Sequence, residues 1–431
     1  MTEVVDINSL VERAAELDAA DPLAEYREQF YIPADENGKQ EIYFVGNSLG
    51  LLPKQTESYL LADLESWKAR GVRGHFEGDF PWVGYHEGLA APMGRIVGGQ
   101  ENEVVMMNGL TNNLHLMMVT FYRPEKERTK VLIEEHAFPS DYYAVESQIR
   151  WHGLDPEAEM VGLSGDQVGE LVSTEKVLQA IDYYRESLAL VLLPGVQYYS
   201  GQVFDMPAIT AAAHRYDIPV GFDLAHAAGN IELKLHDWDV DFAVWCTYKY
   251  LNSGPGAIAG CFVHERHATN PRLPRLAGWW GHDKNTRFLM ENVFKPMATA
   301  DGWQLSNPPI LAMSPVRSSL DLFDRVGIKA LAEKSNKLTG FLIECLDSQL
   351  SDRVNILTPR EENERGCQLS LEINSKEVTG KVIYERLEKL ATRTDWREPN
   401  VIRAAPAPFF NSFNDVVGFT RNLKSVLDAG S

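Results

Sequence analysis

Apolar positions in the middle of the chain fall into short runs separated by amphipathic stretches. "EVVMMNGLTNNLHLMMVTF" reads as a strand, a turn and a helix, with Leu114, Met117, Met118 and Phe121 spaced i, i+3, i+4, i+7 as its buried stripe. "KVLIEEHAFPSDYYAVESQI" repeats the scheme, and "LALVLLPGVQYYSGQ", "IPVGFDLAHAAGN" and "DFAVWCTYK" add further buried runs. Successive runs of this kind predict an α/β domain around a mainly parallel sheet. In such sheets ligands collect beyond the carboxyl ends of the strands.

The pattern changes after about Asn307. "RGCQLSLEI" alternates strictly, with Cys367, Leu369, Leu371 and Ile373 on one side and Gln368, Ser370 and Glu372 on the other. That predicts a half-exposed strand. Charged helical stretches, "GKVIYERLEKLA" and "NDVVGFTRNLKSVL", flank it. The division expected is a large domain over 50–320 and a smaller α+β domain over 321–431, joined by the N-terminal segment 1–49. The first helix is predicted to begin at Ser9, where Ser9-Leu10-Val11-Glu12 has capping-box spacing and Leu10, Ala14 and Leu17 follow at helical period.

Length and composition narrow the function classes. A chain of 431 residues exceeds what one core usually serves. Hydrophobic content of 44% and charged content of 24% are those of an ordinary globular protein. No apolar run approaches the ~20 residues of a membrane helix, and the acidic N-terminus lacks the basic start and apolar block of a signal peptide. A cytosolic protein is expected. The net charge of −20 argues against nucleic acid or anionic membrane as partner, since both need basic surface. Cys246, Cys261, Cys345 and Cys367 have neither zinc nor CxxC spacing, so free buried thiols and no metal are expected.

The chemistry sits at the ends of the buried runs. Asp223 ends "IPVGFD", where a carboxylate needs a cation or donors to hold it; a helix cap or local ion pair would serve as well. His226 follows three residues later, and a lone histidine there is more often a satisfied core residue. Lys249 ends the next run, between Tyr248 and Tyr250. A strand-end lysine can simply snorkel, but a lysine amine can also form a Schiff base with a carbonyl. Gly254, Gly256 and Gly260 are spaced one residue too long for the dinucleotide fingerprint and precede a strand-like run, which excludes that reading. Thr111 and Asp141 open helices, where a hydroxyl and free N–H groups suit a phosphate or merely cap the helix. One cofactor uses a Schiff-base lysine, a carboxylate for a pyridine nitrogen, a stacking ring and a phosphate cup together, and that is pyridoxal phosphate.

At these residues a family resemblance becomes visible. "GFDLAHAAGNIELKLHDWDVDFAVWCTYKYLNSGPGAIAG" resembles the kynureninases, a fold-type I pyridoxal-phosphate family within the aminotransferase class V group. "YFVGNSLGL", "FPSD", "GVQYYSGQ", "GWWGHD", "LSNPPI", "RGCQLS" and "IRAAPAPFFNSF" extend the resemblance over most of the chain. It implies that Lys249 forms the Schiff base, Asp223 pairs with the ring nitrogen, Phe138 stacks on the ring with Asp141 in the same segment, and His226 sits beside it. Leu110 and Thr111 would hold the phosphate with the Tyr248 hydroxyl. Trp279 and Asn307 would complete the site across the interface of a homodimer, and Arg403 would take the substrate carboxylate with a two-pronged contact. Pro194 stands where the family often has a serine, and it lacks both the hydroxyl and an N–H.

The reaction implied is hydrolytic Cβ–Cγ cleavage of L-kynurenine or 3-hydroxy-L-kynurenine to an anthranilate and L-alanine, with Tyr248 assisting proton transfer. His75 and Asn307 resemble the pattern of members that favour the hydroxylated substrate. Two alternatives share the fold. A cysteine desulfurase needs a reactive cysteine on a mobile loop, whereas Cys345 falls in a helical pattern and Cys367 on an alternating strand. A non-catalytic scaffold would have signalled itself by loss of Lys249 or Asp223, and both are present.

Overall fold

Runs that are apolar at every position belong in a sheet covered on both faces. The computed structural model, which describes residues 6–165, 171–374 and 379–429, places them there. Seven strands form one sheet: β1 (Val104–Met106), β2 (Lys130–Glu134), β3 (Met160–Leu163), β4 (Leu188–Pro194), β5 (Val220–Asp223), β6 (Phe242–Trp245) and β7 (Gly260–Val263), in the order β1-β7-β6-β5-β4-β2-β3. Every pairing is parallel except the two made by β7. Since β7 is antiparallel to both neighbours, the other six strands all end on the same side. In register, Pro194 lies opposite Asp223, which lies opposite Val244.

Alternate residues of the strands feed two cores. Leu190, Leu192, Phe242 and Val244 pack under two helices on one face: α2 (Leu110–Phe121) contributes Leu114, Met117, Met118 and Phe121, and α3 (Pro139–Trp151) contributes Ala144, Val145 and Ile149. Val191, Leu193, Phe222 and Trp245 face the opposite side, where α4 (Ile310–Val326) adds Met313, Val316, Leu320 and Phe323. Trp245 requires a glycine opposite it: a Cβ on Gly260 would lie 2.2 Å from the indole.

A second sheet, antiparallel throughout, comprises β8 (Val354–Ile356), β9 (Leu369–Ile373), β10 (Asp395–Arg397) and β11 (Val401–Ala404), in the order β10-β11-β9-β8. Its core joins α5 (Ile328–Leu350), α6 (Gly380–Lys389) and α7 (Phe413–Asp428) to the first helix, α1 (Ile7–Ala19), through Leu10 and Ala14.

Two sequence expectations change, the start of α1 and the exposure of β9. The α1 cap is Asp6, whose side chain accepts from the Asn8 N–H, so the helix starts two residues before Ser9. The division expected at 320/321 falls inside α4, whose Leu320, Leu322 and Phe323 belong to the large-sheet core; the chain turns away at Gly327, φ +81°. The N-terminal segment is shared, Leu23 and Phe30 going to the large core and Leu10, Ala14 and Phe44 to the small one. Strand β9 is buried on both faces, because Gln368 and Ser370 meet polar backbone of the large unit instead of water. Among the described residues no helix is long and apolar enough to cross a membrane.

Candidate active site

The carboxyl ends of β2, β4 and β5 open onto one cavity, and the turn after β6 closes it. Leu110, Thr111, Phe138, Asp141, Asp223, His226, Tyr248 and Lys249 all line it. They reach it by the same rule: each lies at the end of a buried strand or in the helix or turn that follows.

Asp223 is the last residue of β5, and its Oδ1 accepts the Ala225 N–H at 2.6 Å. Its carboxyl is also hydrogen-bonded to that of Asp141, in the first turn of α3. Burial, then the neighbouring Asp223, holds Asp141 well above the usual carboxylate range. Burial also raises Asp223, but its bonds to Ala225 and Asp141 pull the other way. The proton of the pair therefore rests on Asp141 and the charge on Asp223.

Lys249 lies four residues beyond β6, and its Nζ is 3.0 Å from His226 Nε2. Burial, reinforced by the Lys249 charge, keeps the His226 imidazole far below its ordinary range, so the ring is neutral and Nε2 accepts from the lysine. The Phe138 ring centroid is 5.9 Å from the same Nζ; the ring is 44% exposed at the cavity and meets Tyr198 edge-on at 5.3 Å. Burial raises the Tyr248 phenol, with the adjacent Cys246 adding to it, so the hydroxyl is retained at neutral pH. The turn carrying Lys249 is braced from the N-terminal segment: the Gly50 N–H donates to the Tyr248 carbonyl at 2.8 Å, and a Cβ on Gly50 would sit 2.3 Å from the Lys249 carbonyl oxygen.

Helix α2 starts behind Gly109, and no side chain caps it. Its first-turn N–H groups thus remain available to an anion, beside a hydroxyl pair formed by Thr111 and Ser140 at 2.9 Å. Two buried polar atoms at the cavity, Asp141 Oδ1 and His226 Nδ1, have no hydrogen-bond partner. A ring-nitrogen carboxylate, an amine, a half-exposed aromatic face and an anion cup on one cavity fit pyridoxal phosphate.

Arg403 is not a wall of this cavity. It lies behind Tyr198 on β11, 1% exposed, with Nη1 donating to the Tyr198 carbonyl at 2.6 Å and Nη2 to Asp395 Oδ2 at 2.6 Å; its Nε is buried and unpaired. His75, Trp279 and Asn307 do not line the cavity either. His75 packs edge-on against Trp82, and Trp279, 43% exposed, against Trp280 and Phe288. Pro194 lines the cavity at the end of β4.

Sequence reasoning passed over Ser140, Tyr198 and Glu134, which also line the cavity. Glu134 carried the same signal as Asp223, a carboxylate ending a buried run. Burial pushes its carboxyl up to about 8, against a hydrogen bond from Gln197 that lowers it. The unfolded chain releases this proton near the ordinary 4.5 of a glutamate and the folded chain only at about 8, so the folded state loses stability as pH rises through that window. Glu134→Gln removes that titration. The stability gap between variant and wild type is expected to move in the variant's favour between pH 5 and pH 8.5 in urea unfolding; a constant gap would show that Glu134 is not the group responsible.

A group with metal-ligand chemistry, Glu103, His236 and His264, lies at the opposite end of the sheet. Its carboxylate already accepts from the backbone N–H groups of Gln100 at 2.9 Å and Glu265 at 2.8 Å. All four cysteines are buried, which leaves no exposed thiol for desulfurase chemistry.

Residues 331–423 match a family model described as the kynureninase C-terminal domain. A kynureninase of Koribacter versatilis is 50% identical over 416 residues, spanning 96% of this chain and 97% of that one. A kynureninase of Flavobacterium psychrophilum is 49% identical over 417 residues, with the same shares. Among solved structures, a cysteine desulfurase from Thermococcus onnurineus superposes with a TM-score of 0.76 at 17% identity, covering 94% of this chain and 98% of that one. One from Escherichia coli gives 0.75 at 14% identity, covering 95% and 99%. Those two likenesses extend to the fold, whereas the former pair extends to the sequence over nearly its whole length: the chain belongs to the kynureninase family.

Proposed function

We infer that the protein hydrolyses the Cβ–Cγ bond of L-kynurenine, 3-hydroxy-L-kynurenine or both, releasing anthranilate or 3-hydroxyanthranilate and L-alanine, with pyridoxal phosphate as cofactor. The observation that carries this reading is near-full-length likeness to kynureninases in a chain that keeps Lys249 and Asp223 on one cavity. In that reading it acts in tryptophan catabolism, toward NAD biosynthesis, in the cytoplasm.

Lys249 would anchor the cofactor aldehyde, Asp223 would face its ring nitrogen, Phe138 its ring, and Leu110, Thr111 and Tyr248 its phosphate. The bound cofactor supplies an electron sink for the bonds at the substrate α- and β-carbons. The rest falls to the chain. Lys249 Nζ, held by His226, is the base for the α-proton. Asp141 keeps its proton and so keeps Asp223 charged. Tyr248, whose phenol is retained, carries a proton during hydration and cleavage of the ketone. Arg403 receives the α-carboxylate through donors that Tyr198 and Asp395 leave free, a guanidinium having five N–H groups.

Trp279 and Asn307 would act from a second copy of the chain. Their absence from the cavity wall, and the exposed Phe288 packed against Trp279, with exposed Phe76 beside it and exposed Leu289 and Met290 next in sequence, support a homodimer with shared sites. We also propose that the two units divide at Gly327.

The test is a direct comparison. Cofactor-loaded protein is given equal L-kynurenine and 3-hydroxy-L-kynurenine, and initial anthranilate, 3-hydroxyanthranilate and alanine are measured. Excess 3-hydroxyanthranilate assigns His75 and Asn307 to the ring hydroxyl, since a site built to bond that group disfavours a substrate lacking it. Excess anthranilate assigns them to cofactor or interface contacts. Formation of neither aromatic product would overturn the reading.

A further inference from the structure

The segment 195–202, "GVQYYSGQ", follows β4 and folds back on itself, Val196 pairing with Val203 and the Gln197 N–H donating to the Gln202 carbonyl at 2.8 Å. Three successive carbonyls of this loop bond to the small unit. Tyr198 O accepts from Arg403 Nη1 at 2.6 Å and Gln368 Nε2 at 3.1 Å, Tyr199 O from the Ser370 hydroxyl, and Ser200 O from Thr358 Oγ1 at 2.6 Å. The loop is thus the seat on which Arg403 rests.

One side chain ties that seat to the cofactor cavity. Gln197 is buried, and its Oε1 accepts the N–H groups of Tyr199 and Ser200, the latter at 2.8 Å. Its Nε2 donates to Oε1 of Glu134, at the end of β2, at 2.9 Å. Glu134 in turn faces the cavity. We propose that Gln197 is a positioning residue for substrate binding, fixing the Tyr198 carbonyl, and through it Arg403, relative to the cofactor cavity. This rests on the reading of Arg403 as the receptor of the substrate carboxylate. Without the Gln197 amide, the loop loses both its internal turn acceptor and its anchor to β2, and the Tyr198 carbonyl under Arg403 is placed by the small unit's donors alone.

The test separates the carboxylate from the rest of the substrate. Wild-type turnover of kynurenine is measured first, so failure of the functional reading appears there and failure of this inference only in the variants. Gln197→Ala is expected to raise KM for kynurenine at least about tenfold with kcat changed much less, as loss of uniform binding requires. Inhibition by the amine that lacks only the α-carboxylate should shift by less than about threefold. Gln197→Glu keeps an acceptor for the loop but faces Glu134 with a second carboxyl. It should bind kynurenine like wild type near pH 6, where the pair shares a proton, and lose affinity selectively by pH 9. It also serves as the test should the alanine variant not fold. Equal losses for kynurenine and the decarboxylated amine, or no loss of either, would overturn the proposal.

Discussion

Lys249→Ala is expected to lower kynurenine turnover by at least about 10³-fold while leaving the protein folded, because the substitution removes both the group that anchors the cofactor and the base. The structure separates these effects. The Lys249 side chain makes one hydrogen bond, to His226 Nε2, and packs into no core cluster. Its removal should therefore change stability by no more than about 1.5 kcal/mol. Product formation and urea unfolding on the same cofactor-supplemented sample check both halves. Turnover near the wild-type rate would sink the assignment of Lys249; unfolding would show that the turn from Cys246 to Asn252 depends on the side chain, beyond its backbone bond to Gly50.

Asp223→Asn should produce the second largest loss, at least about 10²-fold in turnover, the scale of removing one preorganised electrostatic partner from a desolvated site. Asparagine keeps the size and can still accept the Ala225 N–H, so the loss isolates the charge. Asp141→Asn provides the contrast. Asp141 already carries the proton of the pair, and an amide facing Asp223 preserves that donor, so turnover should fall by less than about tenfold. Equal losses in the two variants would mean that the charge is shared between the carboxyls, contrary to the stronger rise at Asp141: burial raises both, and their contact adds to the rise of Asp141 while opposing that of Asp223.

Much of this site is legible in the sequence because strand ends are. Apolar runs locate β2, β5 and β6, and the polar residue that terminates each run, or the turn beyond it, lies at the cavity. The same logic reaches Asp223 and Lys249 and applies equally to Glu134. What alternation could not reveal is the buried polar face of β9. Gln368 and Ser370 look like solvent-facing positions, and only a loop 170 residues earlier, offering carbonyls instead of water, makes them interior. Arg403 is a similar case: a charged residue on a strand is read as exposed or functional, yet its burial depends on Asp395 across the ladder and on Tyr198 from the other unit. The position 320/321 lies within α4, whose amphipathic stripe continues unbroken to Val326.

The packing of α1 against α7 has a consequence for synthesis. The Phe413 N–H donates to Asp18 Oδ1 across 395 positions of chain, and the core of the small unit uses Leu10 and Ala14 together with Val416 and Leu423. A growing chain emerges N-terminus first, so α1 waits for α7 before its apolar stripe is covered. The seven-strand sheet, complete by Val263, has all its strands far earlier. Synthesis of α7, rather than local helix formation, therefore sets when the small unit can close, and a chain cut short within Phe413–Asp428 deprives α1 of its partner.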